Sequence, residues 1–374
     1  MSTRTADIDA LVLELTSLPT AAGREDRVQA FLDRWLKRRT RSLDWKRDRA
    51  GNLLVTRKNR GRRAPILITA HLDHPAFVVR SVDGRDVELE FRGGVLDPYF
   101  ERARIELFDS SDDRHGAVIH SLDPTAKPFK TATARLGRNA PGLAPGDVGR
   151  WAFGKPSISR GMLRTDACDD LAAAAAALVA FDAIRRRKGT EHVGLLFTVA
   201  EEVGFIGAID AAKSGFIPKR ARLICLENSR SFPESPIGGG AIVRVGDRMS
   251  IFDQTLTNRI SDLCLEEQSR DEGFRFQRRL MPGGACEATA FGTYGYQSTC
   301  LCLPLGNYHN MSDIDGVREG RRPARVKREE IAMSDFDSLV RMLVLVSTRL
   351  DERHASPRSR LDALHRRHGH VLGS

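Results

Sequence analysis

The sequence predicts an α/β fold in which a mostly parallel, helix-covered sheet is interrupted once by a small inserted β domain. Strand-like apolar runs alternate with helix-like stretches on both sides of residues 77–160, which instead contain short alternating runs separated by Gly, Asp and Pro. The length of 374 residues also suits two domains. We therefore predict a main domain over residues 1–76 and 161–350, an insert over residues 77–160, and a mobile basic tail over residues 351–374.

The residues before the insert predict two helices, a hairpin and a buried strand. Apolar residues at helical spacing indicate amphipathic helices over residues 7–15 and 25–37. Residues 43–57 alternate around a Gly-Asn pair, which is typical of a hairpin. The uniformly apolar run at residues 65–70, PILITA, favours a buried strand that ends at His71.

The residues after the insert predict strands and helices in alternation. The alanine-rich stretch at residues 170–187 predicts a long helix, which Gly189 would end. The last helix is expected over residues 334–350, because Ser334 followed by Asp337 is a typical start signal. The predicted strands lie at 193–199, 222–226, 241–245 and 299–303, and the helices between them lie near 207–214, 253–267 and 286–294.

The net charge of +10 and the isoelectric point of about 9.6 are typical of proteins that bind nucleic acid. Most of this charge lies in residues 34–63, which hold thirteen Lys or Arg and two Asp. That segment has only two aromatic residues, Trp35 and Trp45, and it crosses a predicted helix and hairpin, which favours a solvated basic face. We expect no specific nucleic-acid partner, and keep a nucleic-acid-binding module as the alternative of a different functional class.

Three features favour a cytoplasmic protein without a membrane partner. The longest apolar stretch, residues 171–181, is too short to span a bilayer. The N-terminus lacks the pattern of a secretory signal. The six cysteines form no C-x-x-C pair, which indicates reduced, mostly buried thiols.

Histidines and carboxylates follow the predicted strands, at the positions where open α/β sheets place their sites. His71 and Asp73 come directly after PILITA, and their spacing would let Asp73 orient His71. Asp169 and Asp170 precede the alanine-rich helix, where they could simply cap it. Both roles can hold if Asp170 lies in the cap region while Asp169 binds a metal.

The later strands end in the same way. Glu201 and Glu202 close the apolar run LLFTVAEE, and adjacent acids near a core repel each other unless a cation lies nearby. One could bind metal while the other acts as a base. Glu227 ends LICLE, and His309 follows LCLPLGNY. Two histidines and three carboxylates in this order fit two divalent ions that share a bridging Asp, with Zn favoured and Co or Mn as alternatives.

From Leu15 to about Leu350 the chain resembles the dinuclear metallo-aminopeptidases of the glutamyl-aminopeptidase and tetrahedral-aminopeptidase type. The segments AAGREDRVQAFL, ILITAHLDHPAFVV, TDACDDLAAAAAAL and FTVAEEVGFIGA carry the likeness. The resemblance implies a zinc-exopeptidase-like fold whose insert is a small β-barrel. It also implies a peptide substrate, two bound metal ions and a homo-oligomer.

The resemblance assigns five metal ligands and two assisting residues. It implies that one ion is held by His71, Asp169 and Glu227, and the other by Asp169, Glu202 and His309. Glu201 would be the general base, Asp73 would steady His71, and the peptide bond between Asp169 and Asp170 would be cis.

Several positions depart from the family pattern. Glu227 stands where near relatives more often have Asp, and His74 stands where a Glu usually follows H-x-D. Residues 283–291, GGACEATAF, replace a segment that usually contains GGTD, and NYHN around His309 is unusual. These departures bear on the choice of substrate more than on metal chemistry.

We therefore predict an exopeptidase that releases N-terminal amino acids from peptides through metal-activated water. A carboxypeptidase or an N-acyl amino acid deacylase on the same fold is the main alternative, and it would need a basic group for the substrate carboxylate. A scaffold that has lost catalysis is disfavoured because all five ligands and Glu201 are present.

Overall fold

A computed structural model describes residues 6–354 and 357–373. It contains an eight-stranded sheet, a separate three-stranded sheet and a closed six-stranded barrel. Helices cover the larger sheet on both faces, so the predicted α/β fold class with an inserted β-barrel is confirmed.

The regular elements alternate along the chain outside the barrel. The helices are α1 (Ala6–Thr16), α2 (Asp26–Lys37), α3 (Leu171–Ile184), α4 (Ile206–Lys213), α5 (Gln254–Arg270), α6 (Glu287–Thr293), α7 (Ile314–Arg318), α8 (Met333–Arg349) and α9 (Pro357–His368). The strands are β1 (Leu43–Arg47), β2 (Leu53–Arg57), β3 (Ile66–His71), β4 (Ala76–Asp83), β5 (Asp86–Arg92), β6 (Arg104–Phe108), β7 (Arg114–Asp123), β8 (Lys130–Leu136), β9 (Val148–Trp151), β10 (Ser157–Ser159), β11 (Met162–Thr165), β12 (Val193–Thr198), β13 (Arg222–Arg230), β14 (Ala241–Gly246), β15 (Phe276–Leu280), β16 (Gln297–Leu305) and β17 (Glu329–Ala332).

The large sheet has the strand order β1-β2-β12-β3-β13-β16-β14-β15. Its four central strands, β12, β3, β13 and β16, run parallel, so their carboxyl ends meet at one edge. Strands β3 and β12 are buried along their whole length, as their uniformly apolar sequences predict. Helix α3 packs against one face, and its alanines at 172–177 and 180 are completely buried because small side chains let the helix approach the strands closely.

Strands β4 to β9 close into the barrel, in the order β4-β5-β8-β7-β6-β9. Its core is aromatic: Phe77 makes edge-to-face contacts with Phe91 and Trp151 at ring-centre distances of 4.9 Å. Phe77 pairs with Gly149 where β4 meets β9, which brings the two ends of the insertion together. A Cβ at Gly149 would lie 2.3 Å from the side chain of Leu107, so a larger residue there would force that buried side chain to move. Strands β10 and β11 pair with β17 outside the barrel, although the predicted insert reaches residue 160.

Two local features lie near the C-terminal end. In the tail, whose mobility stays a prediction, residues 357–368 form α9, an exposed helix with an ion pair between Arg360 and Asp262 at 2.7 Å. Its Arg, Leu and Ala residues favour a helix by intrinsic propensity without an apolar face. Ser334 does not cap α8, because the helix already begins at Met333 and has no side-chain cap. In the described parts of the chain no helix is long and apolar enough to cross a membrane.

Candidate metal centre

All seven predicted site residues lie at the carboxyl edge of the central parallel strands. Each is positioned by the element that precedes or carries it: His71 ends β3 and Asp73 follows it, Asp169 precedes α3, Glu201 and Glu202 follow β12, Glu227 lies within β13, and His309 lies in a short turn after β16. Glu227 was expected to end its strand. Instead β13 continues to Arg230, because it stays paired with β16 over all nine residues.

One group of side chains gathers around His71. Its Nε2 atom lies 3.3 Å from Oδ1 of Asp169 and 3.7 Å from Oε1 of Glu227. Two ligands that each lie about 2 Å from a tetrahedral ion are about 3.3 Å apart. The spacing therefore fits one divalent ion between these three residues.

A second group gathers around His309. Its Nε2 atom lies 3.5 Å from Oδ2 of Asp169 and 3.3 Å from Oε1 of Glu202. The two oxygens of Asp169 thus face different histidines, so one carboxylate can bridge two ions. Both groups have ligand atoms within 4.8 Å of one another, as an ion requires.

Several of these polar atoms are buried without a hydrogen-bond partner among the described residues. They are Nε2 of His71, Oδ1 of Asp169, Oε1 of Glu202 and Nε2 of His309. Buried polar atoms are rarely left without partners, and those that are point to an absent ion or water. The donor set of imidazole and carboxylate suits Zn²⁺, Co²⁺ or Mn²⁺.

The charges in the site also favour bound cations. Burial would lower the pKa of His71, but the carboxylates of Glu201 and Asp169 raise it well above its usual value. Burial and the neighbouring acids Asp169 and Asp170 raise the pKa of Glu227. Burial likewise raises the pKa of Glu201, although His71 opposes the shift. A divalent cation would stabilise the charged carboxylates and the neutral histidines that bind it.

Hydrogen bonds fix the two histidine rings. Nδ1 of His309 lies 2.7 Å from the backbone oxygen of Gly94, which belongs to the barrel. Nδ1 of His71 lies 3.2 Å from the backbone oxygen of Asp73 and 3.5 Å from its carboxylate. Donation from Nδ1 leaves Nε2 of each ring free to bind a metal.

Asp73 has a further role that sequence reasoning did not predict. Its two carboxylate oxygens accept hydrogen bonds from the backbone N–H groups of Glu201 and Glu202, at 2.9 and 3.0 Å. Asp73 therefore holds the loop that carries both acids. The peptide between Asp169 and Asp170 is cis, as the family resemblance implied.

Glu329 is a buried residue of the site that sequence reasoning missed. Its Oε2 atom accepts hydrogen bonds from the N–H groups of Cys168 and Asp169, at 2.7 and 2.9 Å. Its Oε1 atom accepts from the N–H of His309 at 2.7 Å. One carboxylate thus positions two ligands of the second group. Glu329 and Glu330 are adjacent acids beside an apolar run, so the signal that identified Glu201 and Glu202 was also present here.

We expect Glu329→Gln to lower the affinity of the His309 group for its metal ion by about tenfold to a hundredfold. This is the usual effect of removing a residue that orients metal ligands. Three N–H groups point at this side chain, and an amide would turn its own NH₂ toward at least one of them. Metal titration of the metal-free protein measures the effect. The control is Glu330→Gln, which removes the partially exposed partner of Arg164. Equal metal affinity in both variants would contradict the role.

His74 contributes to the same support. Its Nδ1 lies 2.6 Å from the backbone oxygen of Asp169, and its Nε2 lies 3.1 Å from Oδ1 of Asn310. The Asn310 amide in turn donates to the backbone oxygen of Asp166 at 2.9 Å. The histidine that departs from the family pattern therefore ties the bridging aspartate to the loop that carries His309.

A cavity of about 580 Å³ opens beside Glu227 and His309, two of the predicted metal ligands. The barrel residues 94–96, Tyr308 and residues 281–285 form parts of its wall. Tyr308 stacks on the ring of His309, with a centre-to-centre distance of 3.7 Å. The buried side chain of Arg244 also lines it. This cavity is large enough for an amino-acid side chain next to the ions.

The sequence of residues 51–320 matches the family model described as M42 glutamyl aminopeptidase. The match spans well over half of the chain. The protein belongs to the M42 glutamyl aminopeptidase family. As a member it is a metal-dependent hydrolase that acts at the N-terminus of peptides. Neither the carboxypeptidase or deacylase alternative nor the nucleic-acid-binding alternative is favoured as its main activity.

Known proteins agree with this family assignment. A putative aminopeptidase of Acetivibrio thermocellus is 22% identical in an alignment 342 residues long, which covers 83% of this chain and 96% of that protein. The TET aminopeptidase of a marine sediment archaeon of the Thaumarchaeota superposes with a TM-score of 0.74 at 19% identity, covering 93% and 98% of the two chains. The TET1 peptidase of Pyrococcus horikoshii gives a TM-score of 0.73 at 18% identity, covering 91% and 99%. At these identities the structural likeness shows the shared M42 fold.

Proposed function

We propose that this M42 protein releases N-terminal amino acids from peptides with two divalent ions, Zn²⁺ in preference to Co²⁺ or Mn²⁺. His71, Asp169 and Glu227 would hold one ion, and Asp169, Glu202 and His309 the other. The observation that carries the proposal is the position of the Asp169 carboxylate. One of its oxygens lies 3.3 Å from Nε2 of His71 and the other lies 3.5 Å from Nε2 of His309. Metal analysis of the purified protein tests the expected ratio of two ions per chain.

The catalytic roles follow from the positions of the side chains. When bound, the ions would polarise the scissile carbonyl and lower the pKa of a water. Glu201 is buried, and its backbone is fixed by Asp73, so its carboxylate can take the proton of that water and later pass it to the leaving amine. Burial keeps bulk water from competing for the proton.

Arg244 supports a preference for acidic N-terminal residues. Its guanidinium contacts neutral oxygens of Ser229 and Gly284 at 3.3 and 3.4 Å. The nearest acid, Asp247, is 3.8 Å away and already accepts hydrogen bonds from the N–H of Cys286 and the hydroxyl of Thr289. Asp247 therefore compensates the buried guanidinium only in part, and a substrate carboxylate in the cavity would add a closer counter-ion.

We expect Arg244→Gln to lower kcat/KM about tenfold to a hundredfold for substrates that begin with Glu or Asp, since a charge-assisted hydrogen bond is lost. For substrates that begin with Ala or Leu the change should be less than about threefold, because they make no such bond. Aminoacyl chromogenic substrates measure both values. An equal loss for all substrates would show that Arg244 has a structural role instead.

The same substrates test the alternative on this fold. An Arg in the cavity could also bind the carboxylate of a C-terminal residue, as a carboxypeptidase or an N-acyl amino acid deacylase requires. We expect cleavage of aminoacyl substrates with a free amino group and none of their N-acyl counterparts. The reverse pattern would replace the aminopeptidase proposal by the deacylase.

We also propose that the chain forms a homo-oligomer through the barrel. The P. horikoshii peptidase assembles into a tetrahedron or an octahedral shell, which supports a closed assembly here. The protein would work in the cytoplasm, since all six cysteines are buried free thiols, as is usual in a reducing compartment.

Replacement of residues 81–158 by a short linker should reduce the number of subunits, as light scattering can measure. The deletion should also lose the second ion but keep the first, because His309 depends on the oxygen of Gly94 and the following loop packs Met311 and Ile314 into the barrel core. An unchanged subunit count in a folded deletion variant would place the interface on the helices of the main domain.

A further inference from the structure

Basic side chains from three loops form one surface at the amino ends of the central strands, opposite the metal centre. The loops are residues 57–63 after β2, residues 185–192 after α3, and residues 218–222 before β13. We call this surface the basic face. Its nine exposed cations are Lys58, Arg60, Arg62, Arg63, Arg186, Arg187, Lys188, Lys219 and Arg220.

Backbone contacts show that the three loops meet. Arg63 donates to the backbone oxygen of Gly189 at 3.2 Å, and Arg57 donates to that of Arg187 at 3.2 Å. The N–H of Arg222 donates to the oxygen of Pro65 at 2.9 Å. The basic face is therefore a continuous surface of the folded chain and not a property of one sequence segment.

The acids near the basic face are already neutralised by other, less exposed arginines. Glu191 lies 3.9 Å from Arg57, and Asp351 accepts from Arg222 at 3.1 Å. Asp182 binds Arg39 and Arg185. Among the described residues, the nine exposed cations have no acid within 4.0 Å. Their charge is thus free to attract an anionic partner.

The basic segment that stands out in the sequence contributes only its end to this surface. Within residues 34–63, Arg34 binds Glu14 and Arg47 binds Asp33, at 3.1 and 2.7 Å. Other cations of the segment, such as Lys37 and Arg49, are exposed but lie outside the three loops. Lys58 and the arginines after it belong to the basic face, where they join cations that lie more than a hundred residues further along the chain. Folding therefore builds a larger positive surface than the sequence alone indicates.

The shape and chemistry of the basic face narrow the class of partner. At its centre Arg63, Arg220 and Arg222 line an open depression of about 570 Å³, which a phosphate group can enter. Asp351 also lines it, but this acid is paired with Arg222. No large exposed hydrophobic side chain lies in the three loops, so the apolar core of a typical protein interface is missing. They also present no exposed aromatic ring on which a base could stack.

We propose that the basic face binds the phosphate backbone of nucleic acid without reading its sequence. The contacts would be charge-assisted hydrogen bonds from Lys and Arg to phosphate oxygens, which give affinity but no base discrimination. The basic face and the metal centre lie at opposite ends of the strands. Nucleic acid bound to the basic face would therefore leave the peptidase site accessible to peptides.

Fluorescence anisotropy with short labelled DNA and RNA duplexes of unrelated sequence tests the proposal. The full-length wild-type protein should bind all of them at low salt. The logarithm of its affinity should fall linearly with the logarithm of salt concentration, by a slope of about 0.9 for each phosphate contact on DNA. A strong preference for one sequence, or binding that survives high salt, would overturn the proposal.

Two matched variants distinguish the effect of the basic face on nucleic-acid binding from the effect of the net charge of the protein. Combined Arg62→Glu, Lys188→Glu and Arg220→Glu reverses one cation in each loop, and should weaken binding at least about tenfold and reduce the salt slope. The control, combined Arg160→Glu, Arg270→Glu and Arg275→Glu, makes the same charge change at exposed positions outside the barrel strands and the basic face, and should retain most of the affinity. Both variants should keep wild-type peptidase activity.

Three further results would overturn the proposal: absence of duplex binding by the wild type at low salt, equal losses in the two variants, or equally tight binding to vesicles of anionic phospholipid. The last result would assign the basic face to a membrane surface.

Discussion

Glu201→Gln should lower kcat by about two to four orders of magnitude while the two ions remain bound, since that is the usual effect of removing a general base. Gln has almost the same shape as Glu but cannot accept a proton at neutral pH. The backbone N–H of residue 201 still donates to Asp73, so the loop should keep its place. Glu201 also faces His71, but it is not one of the residues assigned to hold an ion.

Steady-state kinetics and metal analysis of the same preparation measure these two effects. The matched control is again Glu330→Gln, which changes a glutamate outside the catalytic loop and should retain near wild-type kcat. Full activity of Glu201→Gln would show that another group takes the proton. Loss of metal from this variant would show that Glu201 is a ligand.

Asp169→Ala should lose both ions and, with them, all measurable peptidase activity. Asp169 presents one oxygen to each histidine, so its removal takes a ligand from both groups at once. The two histidines and the remaining acids would then be separate half-sites with too few ligands for tight binding. Metal analysis after dialysis should find less than one ion per chain.

The control for this prediction is Asp253→Ala. Asp253 caps α5 through the N–H of Leu256 at 2.7 Å, far from the ions, and its loss should cost about 1 kcal/mol of stability. This variant should bind two ions as the wild type does. Retention of even one tightly bound ion by Asp169→Ala would mean that the bridging role is wrong.

The sequence predicted the fold class and the clustering of the site residues because both depend on local patterns. Buried parallel strands have uniformly apolar sequences, and polar residues directly after them must meet at one edge of the sheet. His71 and the pair Glu201 and Glu202 could be placed in this way. The same reasoning slightly misplaced Glu227, since the pairing of β13 with β16 continues beyond the last apolar residue.

Contacts between distant parts of the chain could not be predicted. Glu329 reaches the site because β17 pairs with β11, whose residues precede Asp169. His309 is held by Gly94, which is more than two hundred residues away. Arg244 lies within the apolar strand AIVRVG, and a charged residue at such a position was a signal for burial with a special role.

The packing of α3 also makes the metal centre sensitive to mutations far from it. The helix begins just after Asp169, and its alanines at 172–177 and 180 are completely buried where α3 packs between the sheet and helices α1 and α8. A larger side chain at Ala177, about 12 Å along the helix axis from Asp169, would push the whole rigid element outward. We therefore expect such substitutions to reduce metal occupancy before they unfold the chain. In this sense the alanines act as a spacer that sets the distance between Asp169 and the predicted ligands carried by the sheet.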